Sequence, residues 1–149
     1  MKARDIMTTR VITTTPDARV SDAVDLMLKH RISGLPVVNE QGKLMGLLVE
    51  SDLVYGARSD LPAHLQLLEN FLNSGGTDMK EEELAQMAGH PVSRYMTRQL
   101  VTATPDASVR ELVEIMVEND FKRIPIIQGD FLKGIVTRAD ILKVIRSGG

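Results

Sequence analysis

The sequence predicts an α/β (α+β) chain of two β-α-β-β-α repeats, packed sheet to sheet with a helical insertion between them. The first observation behind this is a repeat. Pro16-Asp17-Ala18 recurs as Pro105-Asp106-Ala107, and the same offset carries Met7-Thr8 onto Met96-Thr97 and Leu35-Pro36-Val37-Val38 onto Ile124-Pro125-Ile126-Ile127. It also carries the stripe Val20, Val24, Met27 onto Val109, Val113, Met116. After the turn Glu40-Gln41-Gly42-Lys43, which shortens to Gly129-Asp130, Gly46 pairs with Gly134 and Asp52 with Asp140; turns are where copies diverge first. The second observation is that apolar periodicity switches between strand and helix in the same order in both copies. The third is size: one copy of about 55 residues is near the lower limit for independent folding, so the two sheets are expected to share a core.

Taken in order, residues 2 to 8 form a short opening helix, matched by Pro91 to Thr97. Val11-Ile12-Thr13-Thr14-Thr15 is rich in β-branched residues and stops at Pro16, a strand followed by a turn. Val20, Ala23, Val24, Met27 and Leu28 then give one helical stripe, closed by His30 and Arg31 at the negative end of the helix dipole. Ser33-Gly34 turns the chain into the strand Leu35 to Val38, the turn around Gly42 leads to a returning strand Leu44 to Val49, and a second helix begins at Ser51.

Between the copies, Leu61, Leu65, Leu68 and Leu72, widened by Leu67 and Phe71, mark one insertion helix with Pro62 in its first turn. Thr77 caps a second, acidic helix running from Asp78 to about Ala88, in which Met79, Leu84 and Met87 are the apolar positions. In the second copy Leu100 to Thr104 is the strand, and Ser108 with Glu111 stands at capping-box spacing before Val109, Leu112, Val113, Met116 and Val117. Arg19 holds the Ser108 position in the first copy, which predicts a weaker cap there.

Composition bounds the function. At 149 residues, 43% hydrophobic and 26% charged, the chain can bury a core without staples. With no cysteine, disulfides, thiolate metal sites and a cysteine nucleophile are excluded. The cytoplasm is the expected compartment, since Met1 to Met7 leads directly into the repeat and no apolar run approaches a membrane span. A net charge of −2 argues against a nucleic-acid surface spread over the whole chain. His30, His64 and His90 are scattered without metal-ligand spacing, and the eight methionines read as core filler, so neither catalysis nor a metal is expected.

The stretch Gly134-Ile135-Val136-Thr137-Arg138-Ala139-Asp140-Ile141 carries the chemistry: a buried strand passes through a hydroxyl into a helix with a carboxylate in its first turn. Gly134 allows close approach of a backbone or a flat ligand, and Thr137 can cap the helix and leave its N–H groups for an anion. The alternative is that Thr137 is only a cap and Asp140 only a favourable first-turn acid.

The order Met-Thr, a strand ending in Thr-Pro-Asp, a Met-rich helix, Leu-Pro-Val-Val, and Gly-apolar-apolar-Thr-x-x-Asp resembles the CBS (cystathionine-beta-synthase) domain. Seen twice, it resembles the tandem Bateman module, with the likeness over residues 1 to 57 and 91 to 146. The domains are accordingly drawn as 1–64, an insertion 65–90, and 91–149. The resemblance implies two copies related by pseudo-twofold symmetry, with two clefts between them that bind an adenosine nucleotide, the motif Asp taking the ribose hydroxyls and the motif Thr touching ribose or phosphate. A carboxylate can accept from both the 2′- and 3′-hydroxyls.

The main cleft is expected to use Thr102, Ala103, Thr104, Lys122, Arg123, Ile124, Pro125, Thr137, Arg138 and Asp140. Lys122 and Arg123 would neutralise phosphate, the alternative being a solvated turn. A weaker cleft is expected from Ile12, Thr13, Thr15, Gly34, Leu35, Pro36 and Asp52, because Val49 and Glu50 replace the hydroxyl and the cation of the other copy. The function so implied is a non-catalytic sensor of AMP, ADP or ATP, with Mg as an optional companion ion and no required cofactor. It is expected to form a homodimer and to act in trans on a protein partner. The alternatives are an assembly module with vestigial clefts, or a binder of S-adenosylmethionine or NAD.

Overall fold

The computed structural model of the chain describes residues 1–56 and 81–148. The elements are α1 (Ala3–Ile6), α2 (Val20–His30), β1 (Gly34–Val38), β2 (Leu44–Val49), α3 (Glu50–Gly56) and α4 (Glu81–Met87). After a 3-10 turn at Val92–Arg94 come α5 (Val109–Asn119), β3 (Arg123–Gln128), β4 (Phe131–Thr137) and α6 (Arg138–Ser147). The expected insertion helix with the leucine stripe Leu61 to Leu72 lies outside the described residues, as do His64, Thr77 and Met79, and α4 is the described part of the acidic helix. Among the described residues no helix is long and apolar enough to cross a membrane.

Each repeat is built on an antiparallel hairpin. β1 pairs with β2 from Gly34↔Val49 to Val38↔Leu44, and β3 with β4 from Arg123↔Thr137 to Gln128↔Phe131, each with a register shift near the turn. Gly42 and Gly129 make those turns at positive φ, +86° and +63°, a conformation that favours glycine. The expected third strands, Val11 to Thr15 and Leu100 to Thr104, are reduced to single parallel bridges, Thr14↔Val37 and Ala103↔Ile126. Proline explains why. Thr14 N–H donates to Pro36 O and Val38 N–H to Thr14 O, but the next bond of a parallel ladder needs an N–H on residue 36, which Pro36 lacks. Pro125 ends the second ladder in the same way beside Ala103.

The two repeats complete each other through their lead-in segments. Ala3 of the first lead-in is fully buried in a cluster with Leu112, Met116, Ile124, Ile126 and Val136, all of the second repeat. Val92 of the second lead-in is fully buried with Ala23, Met27, Leu35, Val37 and Leu48 of the first. Backbone bonds repeat the exchange: Ala3 N–H to Ala107 O and Arg4 N–H to Pro105 O on one side, Val92 N–H to Ala18 O and Ser93 N–H to Pro16 O on the other. The expectation of a shared core therefore takes the form of two clusters, each closed by a segment of the other repeat. The hairpins also meet edge to edge at Lys43↔Phe131, where Leu44 N–H donates to Asp130 O.

The helical stripes are narrower than their sequence period suggests. Val20, Ala23 and Met27 are buried on α2, and Leu112 and Met116 on α5, while the equivalent Leu28 and Val117 are 72% and 76% exposed. His90 is half-buried, its Nδ1 2.6 Å from the Tyr95 hydroxyl.

Candidate functional site: two crevices built across the repeats

The lead-in peptides also roof the hairpins. Thr8 exchanges both backbone bonds with Ile135 of β4, and Thr97 does the same with Leu47 of β2. Glycine makes this approach possible: a Cβ on Gly134 would stand 2.9 Å from the Thr8 carbonyl oxygen, and one on Gly46 only 2.7 Å from that of Thr97. Where the chain leaves this roof it peels away from Pro36 or Pro125, and a crevice opens beneath it.

The Thr137 crevice, about 450 Å³, is lined by Thr8, Arg10, Val11, Ile12, Arg31, Ile32, Ser33, Gly34, Pro36, Arg123, Ile135, Thr137 and Ala139. The Val49 crevice, about 300 Å³, is lined by Ser33, Leu47, Val49, Glu50, Ser51, Thr97, Gln99, Leu100, Val101, Asp120, Phe121, Lys122 and Arg123. Both volumes fall in the range of small-molecule sites. The linings correspond almost position for position, Thr137 with Val49, Ile12 with Val101 and Arg31 with Asp120, so the crevices are pseudo-equivalent.

Their charges are not equivalent. Arg10, Arg31 and Arg123 line the Thr137 crevice with no acidic residue among the described lining, whereas Glu50 and Asp120, the latter paired with Arg138, stand with Lys122 and Arg123 in the Val49 crevice. Arg31 and its counterpart Asp120 are also the described non-glycine residues at positive φ, each 54°, and each closes a helix at the lip of its crevice. An arginine in that conformation costs on the order of 1 kcal/mol.

Asp140 lies behind Thr137. It is buried, and its Oδ2 accepts from the Thr137 N–H at 2.8 Å and from the Thr137 hydroxyl at 3.2 Å. Asp52 is held likewise: Oδ2 accepts from Val49 N–H at 3.0 Å and Oδ1 from the Thr97 hydroxyl at 3.1 Å. Both carboxylates thus serve as reverse caps of α6 and α3. This ties both to the strand ends; Asp140 is buried and Asp52 half-buried, and neither is part of its crevice lining.

Arg123 stands between the crevices and lines both. Its Nη2 donates to Ser33 Oγ at 2.5 Å. Burial pulls the guanidinium below its ordinary pKa, while the carboxylates of Glu50 and Asp52 act the other way. It stays a cation, since arginine does not deprotonate in proteins.

The grouping expected from sequence is redrawn by this geometry. The motif of one repeat faces the lead-in and first strand of the other, because the lead-ins are exchanged. Ile12, Gly34 and Pro36, expected with Asp52, line the crevice of Thr137, and Lys122, expected with Asp140, lines that of Val49. Arg138 turns to Asp120 at 3.1 Å and lines neither crevice. Leu35, Ile124, Pro125 and Ala103 are buried in the two cores. Thr104 borders a separate hollow with Arg4 and Lys133, Thr102 stands just before the Ala103 bridge, and Thr13 and Thr15 flank the buried Thr14, outside both crevices. Arg10, Val11, Arg31 and Ile32 were not singled out. A non-glycine residue just past a helix end was the available signal for Arg31.

The CBS domain family profile matches residues 3–58 and 92–147. The Methanocaldococcus jannaschii protein MJ1426 is 34% identical over 97% of this chain and 91% of its own length. The chain spans 42%, 32% and 24% of three longer relatives that it also matches. Among solved structures, CBSX2 in complex with AMP superposes with a TM-score of 0.73 at 22% identity, covering 98% of this chain and 96% of that one. The CBS domain pair of protein MJ0100, in complex with 5′-methylthioadenosine and S-adenosyl-L-methionine, superposes with a TM-score of 0.72 at 23% identity, covering 100% and 98%. Two profile matches that fall on the two exchanged repeats settle the lineage: the chain belongs to the CBS domain family.

Proposed function

We propose that this chain is a non-catalytic sensor of a phosphate-bearing adenosine ligand, held in the Thr137 crevice, and that it transmits occupancy to a partner in trans. One observation carries the reading: three arginines converge on an apolar slot beside a capped carboxylate, with no acid in the lining to oppose an anion. Val11, Ile12, Ile32, Pro36 and Ile135 supply walls for a flat base. Asp140 stands outside the lining with its Oδ2 taken by the Thr137 N–H and hydroxyl, so a ribose hydroxyl that reaches past Thr137 would be accepted by Oδ1. The described lining holds no histidine or carboxylate that could act as a general base, which favours binding over turnover. That the similar CBSX2 and MJ0100 pairs are seen with AMP, 5′-methylthioadenosine and S-adenosylmethionine supports an adenosyl ligand here.

A homodimer fits the same reading, because Leu28, Val54, Val117, Leu142 and Ile145 leave apolar side chains exposed on four helices.

A stability panel with AMP, ADP, ATP, S-adenosylmethionine, 5′-methylthioadenosine and NAD tests the proposal. A true ligand at a hundredfold excess over Kd stabilises by about 2.7 kcal/mol. Thr137→Val and Asp140→Ala should each weaken that response. A flat response to every compound leaves the crevices vestigial and the chain an assembly module.

A further inference from the structure

We infer that Arg123 is one cation serving two crevices, so that an anionic ligand in the Thr137 crevice draws it away from the Val49 crevice and leaves that crevice to an adenosyl group without phosphate. This deepens the adenosine reading and rests on it. The guanidinium is in the wall of both crevices. Its counterpart in the first repeat is Gly34, so where the pseudo-symmetry has two positions the chain has one cation. The Arg123 side chain occupies the vacant half itself, lying across Gly34 so closely that a Cβ there would stand 2.9 Å from Cζ.

A phosphate that takes both parallel N–H bonds of a guanidinium fixes the plane of that group. With Arg123 so engaged, the Val49 crevice keeps Lys122 against Glu50, with Asp120 tied to Arg138 and Asp52 behind them, and holds a second anion less well. The Thr137 crevice loses less when Arg123 swings away, because Arg10 and Arg31 remain. The crevices are therefore coupled, with the sign negative for two anions and absent for an anion with an uncharged nucleoside. Couplings of this kind change affinity by roughly 5- to 150-fold.

Calorimetric titration of the full chain with AMP, followed by adenosine on the AMP-saturated protein, tests this. One tight AMP, a second at least about fivefold weaker, and adenosine still binding are expected. Intrinsic inequality of the crevices is separated from coupling by Ala139→Trp, which fills the Thr137 crevice with an uncharged side chain that offers Arg123 no anion. AMP should then bind the Val49 crevice at least about fivefold tighter than the wild-type second step, and Arg123→Ala should abolish that gain. An Ala139→Trp chain with no gain makes the crevices independent and overturns the inference while the adenosine reading stands. Absence of any AMP or adenosine binding to the wild type overturns both. The Arg123 Nε–H NMR signal of the wild type checks the same point without the blocking variant: it should move with the first equivalent of AMP and not with the second, and movement in two steps refutes the sharing.

Discussion

Arg31 holds a conformation that glycine would hold at lower cost, at the lip of the crevice with the most positive charge. Strain kept at a site is a pointer to use, and it sets up a trade. Arg31→Gly should raise stability by about 1 kcal/mol in urea unfolding while weakening AMP several-fold; a gain in stability with unchanged AMP affinity would show that Arg31 has no part in binding. The glycines offer a second residue-scale contrast. Gly46→Ala drives a methyl against the backbone carbonyl of Thr97, which cannot step aside, and should cost about 1–3 kcal/mol. At Gly34 the atoms nearest to an added methyl are those of the Arg123 guanidinium, the far end of a flexible side chain, so for Gly34→Ala the unfolding midpoint should move little while anion affinity changes. The close approach at Gly46 and Gly134 was legible in the sequence, because a glycine inside an apolar strand has few other uses. Arg10 and Arg31 were not. They lie on the repeat that does not carry the Thr137 motif, and only the exchange of lead-ins brings them to it.

At the scale of elements, the helices and hairpins follow from periodicity, and the misjudged pieces are those where a single residue cancels a pattern. Five β-branched or apolar residues at Val11 to Thr15 have every local reason to pair, yet the partner offers Pro36 where an N–H is required. The same cancellation at Pro125 frees Leu100 and Val101 to line a crevice, so the loss of ladder is what makes room for a ligand. Caps behave as their residue types dictate. Ser108 accepts from the Glu111 N–H at 3.1 Å, whereas Arg19, with nearly the same backbone angles, makes no side-chain cap. The first N–H groups of α2 go instead to the carbonyls of His90 and Ala88. Ser108→Ala should therefore cost about 1 kcal/mol. Arg19→Ser should gain only about 0.5 kcal/mol, because the Ser21 N–H, one of the two donors an N-cap hydroxyl can reach, is already taken. Both are read from chemical denaturation midpoints, and an equal and opposite pair of effects would mean that the backbone bonds to Ala88 and His90 count for nothing.

Across the whole molecule, the exchange of lead-ins is the feature from which the crevices, their mixed linings and the interdependence of the repeats all follow. At about 55 residues neither repeat suffices alone, but sequence separation hides which segment closes which core: Ala3 and Val92 each lie nearest in sequence to the repeat they do not complete. This gives a prediction with an inverted address. Val92→Ala removes two methyl groups' worth of packing from the cluster of Leu35, Val37 and Leu48, at a cost of about 1–3 kcal/mol. Hydrogen exchange should therefore show protection lost from β1 and β2, upstream of the substitution, before it is lost from β3 and β4. Ala3→Val overpacks the cluster of Ile124, Ile126 and Val136 and should do the reverse, loosening the hairpin far downstream and sparing the near one. If each substitution instead loosens the repeat next to it in sequence, the cores are closed locally and the crevices lose the mixed walls described above. If both loosen the two hairpins equally, the clusters unfold as one unit, and occupancy of either crevice must then be felt throughout the chain rather than passed from one repeat to the other.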